Sequence, residues 1–314
     1  MPEHGGEQLP PPLTTSHLLL DWKVSVALVA VLVMAGLYAL GVVALRRRGA
    51  AWSAGRTAAA MSGLLVVAWA TTGGLSEYDD AWFSVHMAQH MLLAMVAPLL
   101  LALGAPVTLA LRTLPLRPRR WLLAALHSRV AKVLGFPLVG WVLFVGNPFV
   151  LYFSGLYPAT LEHPLLHEWM HIHFLVSGSL FLWPIVGLDP VPGRVAHGLR
   201  VLLVLAALPF HAFLGVAIMS RDTLIAAAHY TSLGRAPVAD LLADQKLGGG
   251  LLWASGDLIG AALLVAMLAQ WMRADERVAK RKDRQADRDQ DAELAAANAR
   301  FAALARGVEE QTGR

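Results

Sequence analysis

The sequence of 314 residues contains no cysteine. That absence excludes disulfide bonds, thiolate metal sites and a cysteine nucleophile. Any metal ion that this chain binds must therefore be held by histidine, methionine or carboxylate side chains. The chain has 12 histidines and 10 methionines, so such ligands are available in number.

Charged residues are also scarce, at 15% of the chain against about a quarter in soluble domains. Hydrophobic residues make up 56%, and the mean hydropathy is +0.53, which favours a lipid bilayer as the partner. The isoelectric point near 9.6 is compatible with nucleic-acid binding. However, the basic residues lie between apolar runs and in the C-terminal tail, where membrane topology places them, so we expect no nucleic-acid partner.

Recognisable enzyme signatures are missing too. The sequence has no phosphate-binding loop, no Ser-His-Asp order and no HExxH motif. An enzyme is therefore not indicated.

Seven apolar runs approach the roughly 20 residues that a helix needs to cross a bilayer core of about 30 Å. The runs are Trp22–Leu45, Thr57–Gly73, Val85–Leu111, Lys132–Phe153, Leu165–Leu188, Leu199–Ser220 and Leu251–Met272. They predict an all-α integral membrane protein with a bundle of about seven transmembrane helices over residues 22–272. A polar, Pro-rich lead (1–21) precedes the bundle and a charged tail (273–314) follows it. The lead lacks the features of a signal peptide, so we expect it to remain attached.

The links between these runs alternate in charge. The first, third and fifth links and the tail are rich in arginine, whereas the links 74–84 and 154–164 contain no Lys or Arg. The positive-inside rule therefore predicts an extracytoplasmic N-terminus and a cytoplasmic C-terminus.

Histidines gather on the side predicted to be extracytoplasmic. Several stand four residues apart, a spacing that puts imidazoles on one face of a helix, and others lie below the membrane surface, where polar side chains are usually functional. We predict a metal site whose candidate ligands are His86, His90, His167, His171, His173 and His211. Taken singly, these histidines also suit hydrogen-bonded structural roles.

The ligand chemistry favours copper as the cofactor. Imidazole suits copper, zinc and iron, and thioether sulfur shifts the preference towards Cu(I). Met87, Met91 and Met219 lie in the same predicted outer half and are possible soft ligands.

Four polar residues could support such a site. Glu168 and Asp257 could orient a ligating imidazole, relay protons or simply pack. Asp244 and Gln245 precede Gly248-Gly249-Gly250, a triplet that we interpret as a turn leading into the last run.

Two other functions fit the same residues. A b-type haem could be held by His171 or His173 together with His211 from a facing helix. A copper or proton transporter could use Glu168 and Asp257 along its path, although few polar residues continue into the predicted cytoplasmic half.

Four separated motifs in this chain resemble the multi-spanning CtaG family of cytochrome c oxidase assembly factors. The motifs are HMAQHMLLAMVAPLLLALGAP (86–106), HIHFLVSGSLFLWPIVGLDP (171–190), HAFLGVAIM (211–219) and DQKLGGGLLW (244–253). The resemblance covers roughly residues 60–272. It implies a seven-helix, multi-pass protein of the bacterial plasma membrane that serves the maturation of a haem-copper oxidase, with oxidase subunits as partners. The family's polar positions correspond to His86, His90, His171, His173, His211, Asp244 and Gln245.

Overall fold

The computed structural model describes residues 14–192, 195–288 and 292–312. These residues are mostly helical and include no strand, so the predicted all-α fold is confirmed. The chain forms two compact units, Met1–Ala262 and Leu263–Arg314. The first 13 residues of the predicted lead, including His4, lie outside the described residues.

The first half of the chain contains seven α-helices and one π-helical turn within the described residues. They are α1 (Thr15–Leu20), α2 (Val26–Arg47), α3 (Ala54–Thr72), α4 (Leu75–Tyr78), α5 (Phe83–Met91), the π-helical turn (Leu92–Val96), α6 (Ala97–Gly104) and α7 (Pro106–Thr113).

The rest of the described chain adds nine helices. They are α8 (Leu116–Leu126), α9 (Arg129–Leu134), α10 (Pro137–Phe153), α11 (Leu156–Glu162), α12 (Pro164–Val186), α13 (His197–Met219), α14 (Ala227–Ser232), α15 (Val238–Arg288) and α16 (Ala292–Thr312).

Five helical segments in the described part of the chain are long and apolar enough to cross a membrane. They are Val26–Arg47, Phe83–Thr113, Pro164–Val186, His197–Met219 and Val238–Gln285. A sixth is possible if α10 and α11, which are bent by 73° at their junction, form one span. The chain is therefore a multi-pass membrane protein, but the count of seven is not confirmed and the orientation stays a prediction.

The second predicted run gives no membrane-spanning candidate. It forms α3, a helix of 19 residues that is not among the membrane-spanning candidates. The helix begins with small and polar residues, including Arg56 and Thr57, which lower its apolar character. Its partners are α2 and α6, so a substantial part of its surface packs against protein.

The helix α12 packs against several neighbours: α6, the π-helical turn, α10 and α11. Pro98 lacks an N–H and cannot bond the carbonyl of Ala94 four residues earlier, which accounts for the widened turn at this point. Gly178 of α12 lies against that carbonyl, and a Cβ atom there would collide with it. The absence of a side chain therefore lets α12 approach the π-helical turn closely.

The glycine triplet lies inside α15, and the interpretation of it as a turn is wrong. A Cβ atom added to Gly215 of α13 would lie 2.7 Å from the carbonyl oxygen of Gly249. Small residues allow two membrane helices to pack with their backbones close together. Helix packing therefore explains the glycines, and α15 begins at Val238, well before the predicted Leu251.

Candidate metal centre

A buried carboxylate follows the short helix α4. Asp79 is only 3% exposed, and its side chain faces the first turns of α12. The preceding Gly74 packs against the backbone of Leu18, and the backbone carbonyl of Asp80 accepts a hydrogen bond of 2.8 Å from His229 Nε2. Contacts on both sides therefore fix the segment that carries Asp79.

Two histidines of α12 meet this carboxylate. Because His167 and His171 lie four residues apart, both rings are on the same face of the helix. His167 Nε2 donates a hydrogen bond of 3.0 Å to Asp79 Oδ2. His171 Nε2 also lies 3.0 Å from that oxygen, at ion-pair distance, whereas His171 Nδ1 is buried without a hydrogen-bond partner. The two rings are arranged edge to face, with centroids 4.7 Å apart.

The charge of Asp79 is maintained despite its burial. Removal from water raises the pKa of a carboxyl group, but the hydrogen bonding and positive charge of His167 and His171 outweigh that effect. The pKa of Asp79 is therefore lowered below its ordinary value. An ionised carboxylate next to two imidazoles is a set of donors that a divalent ion can use.

The geometry fits a metal ion. One donor atom from each of Asp79, His167 and His171 lies within 4.8 Å of the other two. Ligand atoms bind transition metals at about 2.0–2.2 Å, so a modest inward movement of these side chains would complete the site. The buried Nδ1 of His171 supports this assignment, because a buried polar atom without a hydrogen bond is costly unless it has another role.

The other predicted histidine pair has a different partner. His86 Nε2 and His90 Nδ1 lie 3.0 Å and 2.8 Å from the hydroxyl oxygen of Tyr152. A tyrosine hydroxyl carries one hydrogen, so it can donate to one imidazole while it accepts from the other. The ring of His90 also stacks on Phe174, with a centroid separation of 4.0 Å. The structure therefore places this pair on a tyrosine in the buried core.

The last two predicted ligands lie apart from both groups. His173 is exposed at the surface of α12. His211 is buried on α13, where its ring packs 5.2 Å from Phe144 and touches the backbone at Gly256. Its Nδ1 is 3.4 Å from the carbonyl oxygen of Ala207.

The three methionines considered as soft ligands occupy helix contacts. Met87 is fully buried, and its Cγ lies against Gly248. Met219 packs against Gly249, and Met91 is buried at the end of α5. These positions give each methionine a packing role.

Asp244 and Gln245 hold neighbouring segments in place. Asp244 accepts a hydrogen bond of 3.2 Å from the Ser84 N–H and a second from the Ser84 hydroxyl, so it caps the start of α5. Gln245 accepts a bond of 2.7 Å from the Ile225 N–H and donates one of 3.2 Å to the Thr223 carbonyl. Both residues therefore attach α15 to neighbouring segments, Asp244 to the start of α5 and Gln245 to the loop before α14.

The two remaining acidic residues form fewer hydrogen bonds than Asp244 and Gln245. Glu168 is exposed next to His167. Asp257 accepts a hydrogen bond of 2.7 Å from the Trp253 indole, and its second oxygen is buried without a hydrogen-bond partner.

Sequence reasoning missed Asp79 and Tyr152. Asp79 lies in the 74–84 link, which has no basic residue and falls on the same predicted side of the membrane as His167. That shared side was the available signal for Asp79. Tyr152 is one aromatic residue within an apolar run. Its position in the sequence does not separate it from the other residues of the core.

Comparisons with known proteins add a family. The model of the cytochrome c oxidase caa3 assembly factor family (Caa3_CtaG) matches residues 36–274. Uncharacterized proteins of Mycobacterium bovis and Mycobacterium tuberculosis are each 44% identical to this chain over 310 residues, and one of Mycobacterium leprae is 39% identical. Each alignment covers 96% of this chain and 47% of the relative, so the chain spans about half the length of these relatives. No solved structure gives a significant match.

Proposed function

Because this chain belongs to the cytochrome c oxidase caa3 assembly factor family, we propose that it binds copper through Asp79, His167 and His171 and delivers it to an oxidase subunit. The observation that carries the proposal is the convergence of one carboxylate and two imidazoles, with the Nε2 atoms of His167 and His171 each 3.0 Å from one oxygen of Asp79. A haem-copper oxidase requires copper during its maturation, which makes that metal the natural cargo.

The donor set favours Cu(II) over Cu(I). Imidazole and carboxylate are harder ligands than the thiolates and thioethers that select Cu(I). The same donors also suit Zn(II) and Fe(II), so competition between metals belongs in any binding experiment.

Delivery requires a site that can release its ion. The side chain of His167 is 15% exposed, against 5% for His171, so one edge of the cluster reaches the surface. Asp80 is exposed directly after Asp79 and adds negative charge beside this edge. In the predicted orientation, this edge faces the extracytoplasmic side of the plasma membrane.

A complementation experiment tests the proposal. A strain that lacks the protein receives the wild type, Asp79→Ala or the matched control Glu168→Ala, and the oxidase is purified from each strain. We expect Asp79→Ala to give an oxidase depleted in copper but not in haem, while Glu168→Ala restores a normal copper content. Immunoblots establish equal abundance of the variants. The proposal would be wrong if the oxidase from the Asp79→Ala strain contained its full complement of copper while the variant was present at normal abundance.

An absorption spectrum of the purified protein distinguishes the haem alternative from the copper proposal. It needs His171 or His173 to face His211, whereas His173 is exposed and His211 packs against Phe144. We therefore expect the purified protein to lack a Soret band, and a stoichiometric band would favour haem.

A further inference from the structure

An apolar groove lies at the other end of α12 from the metal centre. Sixteen residues separate His167 from Trp183, which corresponds to about 24 Å along a helix. The groove has a volume of about 510 Å³. Its lining includes Met34 of α2, Leu134 of α9 and Val176, Ser179 and Trp183 of α12.

The two polar side chains named in that lining are satisfied within the protein. The Ser179 hydroxyl donates a hydrogen bond of 2.6 Å to the carbonyl of Leu175. The Trp183 indole donates one of 2.9 Å to Asp189, a buried carboxylate that also accepts hydrogen bonds from the start of α7. The groove therefore presents an almost purely hydrocarbon wall, which suits an apolar chain and disfavours a polar ligand.

The groove is open at its side. Met34 is 56% exposed and Val176 is 48% exposed, and both belong to membrane-spanning helices. Hydrocarbon chains of the bilayer can therefore enter it without crossing water.

Positive charge is concentrated in the segment that contributes α9 to the groove. Residues 112–132 carry six basic side chains and no Asp or Glu: Arg112, Arg117, Arg119, Arg120, Arg129 and Lys132. Arg129 and Lys132 are exposed on α9, and their neighbours Ala131 and Leu134 line the groove. A ligand with an apolar chain in the groove would therefore have two exposed cations within one helical turn of the α9 residues that it contacts.

We infer that this groove binds an anionic phospholipid, with an acyl chain along α12 and its phosphate near Arg129 and Lys132. The apolar groove suits the acyl chain of such a lipid, and the two cations suit its phosphate. Basic pockets beside membrane helices on the cytoplasmic side bind anionic head groups, and the groove lies on the side predicted to be cytoplasmic. The inference does not depend on the metal centre.

Native mass spectrometry of the full chain in detergent tests this inference. Phosphatidylglycerol and phosphatidylcholine with identical acyl chains are the probes. We expect the anionic lipid to be retained at least about fivefold better, and Arg129→Gln with Lys132→Gln to reduce its retention by about tenfold. The control Arg117→Gln with Arg120→Gln removes the same charge from α8 and should change retention by less than about twofold.

A second pair of variants tests the groove itself. Val176→Trp fills the groove from a half-exposed position, whereas Ile172→Trp adds the same bulk at a comparably exposed position of α12 outside the lining. We expect the first variant to lose bound lipid of both kinds and the second to retain it. Equal retention of the two lipids by the wild type would overturn the inference, as would equal losses within either pair of variants.

Discussion

The two histidine pairs of this membrane protein share a sequence pattern but not a chemical setting. His86 and His90 on α5 and His167 and His171 on α12 are each four residues apart on one helix. The first pair shares the hydroxyl of Tyr152, and the second pair faces the carboxylate of Asp79.

The difference shows that the partner, rather than the spacing, decides what a histidine pair can do. A tyrosine hydroxyl can bond one nitrogen of each ring at once, which gives the first pair a structural role within the core. A carboxylate brings negative charge, and it lies 3.0 Å from the Nε2 atoms of both His167 and His171. The second pair is therefore the one suited to a cation.

The largest expected effect separates the two pairs directly. His171→Ala removes a direct ligand, so we expect copper affinity to fall by at least about 100-fold, beyond the loss typical of residues that only orient a ligand. His90→Ala, which removes an imidazole of the other pair, should leave the affinity within about threefold. Metal analysis of the purified proteins after dialysis against a copper buffer measures both. Equal losses of copper affinity in the two variants would contradict the difference between the two histidine pairs.

Acid should release the metal through the imidazoles rather than the carboxylate. The pKa of Asp79 is lowered, so its contribution to stability is present above the unfolded value near 3.9 and is lost only as the pH falls below it. Imidazoles must be neutral to bind a metal, so affinity should fall as the pH is lowered, by up to about 100-fold per pH unit once protons compete for both histidines. Equilibrium dialysis at pH 7, 6 and 5 measures this fall. A loss confined to values below pH 4 would assign the titration to the carboxylate.

A smaller effect is expected from the partner of the first pair. Tyr152→Phe leaves His86 Nε2 and His90 Nδ1 without their shared hydroxyl in a buried setting, which should lower the free energy of unfolding by about 1–3 kcal/mol. Thermal unfolding in detergent measures the loss, and copper affinity serves as the internal control. A drop in affinity as large as that of His171→Ala would mean that the two pairs act together.

The smallest effect concerns the acidic neighbour of the second pair. Glu168 is exposed, and water screens its charge from the cluster. We expect Glu168→Gln to change copper affinity by less than about threefold, as isothermal titration can measure. A tenfold loss would show that Glu168 acts as a ligand.

The helical fold was predictable from the sequence because apolar length and loop charge reflect the bilayer directly. The runs at Trp22–Leu45 and Leu199–Ser220 correspond closely to α2 and α13. The glycine triplet was misinterpreted because its cause is the close approach of α13, which local sequence does not contain.

The candidate site was only partly predictable for a similar reason. The spacing of His167 and His171 places them on one face of α12, but 88 residues separate His167 from Asp79. Only the packing of α12 against the segment after α4 reveals that neighbour. The pairing of His86 and His90 with Tyr152 depends likewise on how α5 and α10 meet in space.

Pulsed electron paramagnetic resonance of the Cu(II)-loaded protein tests most directly whether the α12 histidines hold the metal. At saturating copper, we predict two coordinated imidazoles in the wild type and in His90→Ala, and one in His167→Ala. Two imidazoles persisting in His167→Ala, or the loss of one in His90→Ala, would contradict a centre built on α12.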